Sequence, residues 1–168
     1  MGLEELAPDE MAFVRVNEGD VAVAMMERIG IRNKLAEARL KIQAKVPGVS
    51  DDELNALMEA VYLEAVSIFS YNIKLNQQGN IVNDSRGLSD LPGGNVLAHF
   101  GQMSPLNSPQ TLAQQEGYIW AYTIAADAFK DLGLNQKAQG CLAIAGTKAL
   151  KRDSYISSDS PSGNWKIH

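Results

Sequence analysis

The sequence predicts a mainly α protein: an antiparallel helical bundle, interrupted by one long irregular insertion with room for a β-hairpin, and ending in an extended C-terminal tail. Three features lead there. Residues 50–70, SDDELNALMEAVYLEAVSIFS, have a marked start and a clean helical period. Two further helical segments, 108–132 and 136–150, follow a stretch rich in Gly, Pro and Asn. Strand-like alternation is confined to two short pieces at 73–75 and 81–82.

Residues 50–70 organise the rest. Ser50 is set to accept from the backbone N–H three residues on, with Glu53 reaching back to the amide of Ser50. Asp51 and Asp52 add negative charge at the positive end of the helix dipole, which accounts for this acidic cluster without catalysis. Leu54, Leu57, Met58, Val61, Tyr62, Ala65, Val66 and Phe69 share one face, with Asn55, Glu59, Glu64 and Ser67 opposite. Burying each large member is worth roughly 1.5–3 kcal/mol, so neighbouring segments are expected on that face.

In chain order, residues 1–18 lack a period, contain Pro8 and form an arm. Asp20 is expected to cap a helix from Val21, with Val21, Ala24, Met25 and Arg28 or Ile29 on its face, ending or bending at Gly30. Ile31, Leu35, Ala38 and Ile42 continue a helix over 31–45, until Val46, Pro47 and Gly48 break it. The insertion spans 71–109, and a small hairpin fits around Asn76 and Asn80. Loops of this length are commonly functional or ordered by a partner.

Ser108 and Pro109 suit an N-cap and first turn of the next helix, with Leu112, Ile119, Tyr122, Ala126 and Phe129 as its stripe, Trp120 to one side and Gly133 as its stop. The helix over 136–150 is rich in small residues. These suit close packing, either inside the chain or against a second subunit through Ala138, Cys141 and Ala145. Residues 151–168, KRDSYISSDSPSGNWKIH, are too polar to fold alone, yet hold Tyr155, Ile156, Trp165 and Ile167, which suit either anchors on a partner or a frayed end. The division is therefore an arm at 1–18, one helical domain at 19–150 with its insertion, and a tail at 151–168.

A length of 168 residues, 45% hydrophobic, suits one domain with a single core. A net charge of −5 argues against wholesale attraction to nucleic acid or anionic membranes. One cysteine excludes an intrachain disulfide and fits a reducing compartment. No zinc spacing, phosphate loop or apolar run of ~20 residues occurs, so no metal, cofactor or membrane partner is expected, and the chain is expected to be soluble and made in the cytoplasm. His99 has no nucleophile or carboxylate assignable by spacing, Cys141 sits on an apolar helix side, and an enzyme is disfavoured. The basic stretch from Arg28 to Lys45, with Gly30 between two helices, allows a helix-turn-helix using Arg32, Arg39 and Lys41. A solvated or ion-paired helix explains the same residues.

The order of features, with GDVAVAMMERIGI at 19–31 and ALKRDSYISSDSPSGN at 149–164, resembles the head-to-tail adaptors, or tail accessory factors, of short-tailed bacteriophages. The resemblance implies a non-enzymatic helical protein of the virion neck. About twelve copies form a ring beneath the portal, and DNA passes through it as non-specific cargo. It implies a tail lying on the portal protein through Lys151, Arg152, Tyr155, Ile156, Trp165 and Ile167. The insertion, with Asn76, Asn80, Ile81 and Val82, then faces a neighbour or a tail hub or nozzle protein. The alternative is a helical DNA-binding ring or dimer, such as a small-terminase-like packaging subunit.

Overall fold

The computed structural model describes residues 18–83, 88 and 111–158, with 151–158 described by their backbone alone. Its described elements are α1 (Glu18–Arg28), α2 (Ile31–Lys45), α3 (Asp51–Tyr71), α4 (Leu112–Asp131) and α5 (Asn135–Ser158). The arm residues 1–17, most of the insertion and residues 159–168 lie outside the described residues.

The start of α3 follows from its sequence. The Ser50 hydroxyl oxygen accepts from the Glu53 N–H at 3.1 Å, while the Glu53 carboxylate meets the Ser50 hydroxyl at 3.3 Å rather than the Ser50 amide. Its predicted apolar face is buried except for the half-buried Tyr62. Glu64 and Ser67, predicted to face solvent, are instead fully buried. The reason is geometric. Helices α1, α2 and α4 all pack on α3, so its buried arc is wider than one stripe.

Three boundaries differ from expectation. Asp20 lies inside α1 rather than capping it, and α1 buries Ala22, Met25 and Met26 while Ala24 is exposed. Helix α4 starts at Leu112 with Thr111 as N-cap, its hydroxyl accepting from the Gln114 N–H at 3.1 Å; Ser108 and Pro109 fall outside the described residues. Helix α5 runs to Ser158, so residues 151–158 are helical rather than extended tail. Gly30 and Gly133, both at φ 76°, make the αL turns between α1 and α2 and between α4 and α5.

The bundle is not antiparallel throughout. Phe69 and Phe129 stack at 4.8 Å near the C-terminal ends of α3 and α4, while Gly117 lies against Leu57 and Val61 nearer their N-termini, so these two helices run parallel. Helix α2 runs antiparallel to α4, with Lys34 at Asp127 and Lys45 at Glu116. Helix α5 is also antiparallel to α4, with Lys148 over Tyr118. A parallel pair demands a long return. The 21 residues of α3 span about 31 Å at 1.5 Å each, which needs roughly ten extended residues to retrace. The insertion is long enough for that return, and its first part forms a narrow turn: Leu75 bridges Ile81, the Val82 N–H donates to the Lys74 carbonyl at 2.8 Å, and the Asn76 side chain accepts from the N–H groups of Gln78 and Asn80.

Close approach of α3 and α4 depends on Gly117, where an added Cβ would sit 2.7 Å from Leu57 Cδ1 and 3.1 Å from Val61 Cγ2. At Gly146 on α5 a Cβ would meet nothing within 4 Å. Gly117→Ala is therefore expected to destabilise, overpacking at about 1–3 kcal/mol exceeding the roughly 1 kcal/mol gain in helix propensity. Gly146→Ala is expected to stabilise by up to about 1 kcal/mol. Thermal melts of the two variants should move in opposite directions.

Candidate interaction surfaces

Most of the basic stretch, whose alternative reading is a DNA contact, is ion-paired from within the chain. Arg28 pairs with Asp131 at 3.0 Å, Lys34 with Asp127 at 2.8 Å, Lys41 with Glu37 at 3.2 Å and Lys45 with the buried Glu116 at 3.3 Å. Arg39 forks between Asn55 at 2.8 Å and Asp51 at 3.2 Å. Lys41 also lies 5.6 Å from the Trp120 ring centroid. Of the three named candidates, only Arg32 makes no ion pair among the described residues. Each exposed pair is worth only about 0.2–1 kcal/mol, but together they fix which way the charges of α2 turn.

The small-residue side of α5 faces inward. Ala138, Cys141 and Ala145 are buried in the chain's own core, so they present no surface to a second subunit. Close to them lies a polar cluster of Glu64, Tyr118 and Tyr122, the two hydroxyls 3.5 Å apart. Burial first, then the bond to Tyr118 and the charge of Glu64, push the Tyr122 phenol up. Burial alone pushes the Cys141 thiol up to about 12, so it stays protonated near neutrality.

The opposite side of α5 is where apolar atoms reach solvent. Leu142 is 51% and Leu150 73% exposed, and on α2 Leu40 is 67% exposed. Sequence periodicity gave no sign of these residues, because each stands off the core stripe of its helix. Elsewhere, Asn76 and Asn80 are exposed at the hairpin tip, Ile81 is half-buried and Val82 is exposed. Leu88 covers Gly140, tying the insertion to α5. A shallow groove of about 250 Å³ separates the first turns of α3 from Thr111, Ala113 and Gln114.

Lys151, Arg152, Tyr155 and Ile156 belong to the last two turns of α5, while Trp165, Ile167 and His99 lie outside the described residues. Among the described residues no three His, Cys, Asp or Glu side chains gather into a metal-binding group, and no helix is long and apolar enough to cross a membrane. No family model, curated protein or solved structure matches this chain.

The buried thiol makes a sharp expectation. Native protein should leave Cys141 unmodified by a maleimide at pH 7 to 8, with full labelling after denaturation; rapid native labelling would show that α5 detaches from α4.

Proposed function

We propose that this chain is a non-enzymatic structural protein of a virion, a head-to-tail adaptor whose copies form a ring between portal and tail through which DNA passes. The observation that favours it over a DNA-binding packaging subunit is the internal pairing of α2. A helix that reads or grips DNA holds its cations free for phosphate. Here Arg39 and Lys41 are held by Asp51, Asn55, Glu37 and Trp120.

On this reading the helical body is complete before assembly, and its partners are the portal protein, a tail hub or nozzle protein and further copies of itself, about twelve by the resemblance. DNA is cargo without sequence readout. Helix α5 carries Lys151, Arg152, Tyr155 and Ile156 to the end of the bundle where Thr111 begins α4, and the following residues with Trp165 and Ile167 bind the portal. Multivalency makes weak individual tails sufficient, because each bound copy raises the effective concentration of the next.

Truncation after Ser158, or Trp165→Ala, should leave helical content and melting unchanged while abolishing capture by a portal ring. Light scattering should show no uptake of an unrelated duplex. Salt-sensitive DNA binding that disappears on charge reversal at Arg32, Arg39 and Lys41 would replace the adaptor with the packaging-subunit alternative.

A further inference from the structure

Two outer helix faces of the protomer expose small apolar side chains among the described residues. On α2, Lys34, Arg39 and Lys45 turn towards α3 and α4, and Ala36, Leu40 and Ala44 stand exposed on the outer side beside the exposed Glu37–Lys41 pair. On α5, Lys137 is buried and Lys148 turns back over the Tyr118 ring, and Leu142, Ala143, Gly146 and Leu150 are exposed alongside Gln139 and Thr147. Each ridge covers eight residues of rise, about 12 Å.

Their placement is matched. Both helices flank α4. With about 100° per residue, positions 116, 120 and 127, which meet α2, fall roughly half a turn from 118 and 122, which meet α5. The two helices therefore lie on opposite sides of α4. Both run antiparallel to it and hence in the same direction as each other. They also stand at one level: Lys41 meets Trp120, while Cys141 and Lys148 approach Tyr122 and Tyr118. Leu40 is thus level with the α5 turns that carry the exposed ridge.

We propose that the α2 ridge of one copy packs against the α5 ridge of the next, head to tail, with both helices running the same way. Opposite sides, equal level and common direction are the conditions under which one copy follows another by rotation about an axis along the bundle, each addition leaving an unused ridge at either end. Small apolar side chains on ridges of equal length suit close packing of one helix on the other, with the Glu37–Lys41 pair at the polar rim. Closure of the series into a ring rests on the function proposed above; the pairing of ridges does not.

The test uses full-length Leu40→Cys and Ala143→Cys, both exposed positions, with a short bismaleimide at high protein concentration. The mixture should give a covalent dimer many times more abundant than either variant alone, and the double variant should give a ladder. Equal dimer from either variant alone, or a mixture no better than wild type, would overturn the pairing. A ladder with no closed end product keeps the pairing and removes the ring. A ring seen by light scattering without the mixed cross-link overturns the pairing and keeps the ring.

Discussion

The parallel contact between α3 and α4 is the constraint from which the rest of the fold follows. The two helices meet through Phe69 and Phe129 at one end and through Gly117 against Leu57 and Val61 at the other. Aromatic stacking adds roughly 0.5–1.5 kcal/mol beyond burial, and a glycine at the crossing brings the backbones close enough for that stack and the apolar seam to coexist. Parallel neighbours cannot be joined by a short loop. The chain must return along the bundle, and the connection between Asn72 and Thr111 is long enough to do so. Helices α2 and α5 then lie on either side of α4, both antiparallel to it, so topology rather than composition decides which surfaces face outward.

Charge placement follows from that arrangement. Helix α2 contributes cations to two seams, towards Asp51 and Asn55 beside α3 and towards Glu116, Trp120 and Asp127 on α4. Exposed pairs add little stability one by one. Lys45 is different, because its half-exposed side chain answers a Glu116 carboxylate that is only 3% exposed. The larger effect is directional. Lys34, Arg39 and Lys45 are drawn into the seams, so the outer side of α2 carries Ala36, Leu40 and Ala44 beside the Glu37–Lys41 pair.

Local signals in the sequence were enough for the helices and for several of their ends. Ser50 with Glu53, Gly30 and Gly133 act within a few residues of themselves, and each appears as read except that Glu53 meets the Ser50 hydroxyl. Signals acting across the chain were not legible. The Lys34 bond to Asp127 spans 93 positions, so the partners of the basic stretch could not be named from that stretch alone. The burial of Glu64 and Ser67 depends on three helices surrounding α3, which no single-helix period reveals. The extension of α5 through the Ser-rich residues 151–158 shows propagation outrunning composition: once a helix is nucleated, each further residue adds a hydrogen bond at small cost.

Helix α5 is the element on which the proposed contacts converge. It packs on α4 and scarcely on the other described helices, through small residues on one side, while its outer ridge faces solvent and its last turns lead towards the C-terminal residues. In the proposed assembly, a neighbouring copy on the ridge and a portal on the tail both bind the already folded α5. Copies held side by side present their tails together, so each bound tail raises the effective concentration of the next. Assembly on the portal and contact between copies then become mutually reinforcing, although each taken singly is weak.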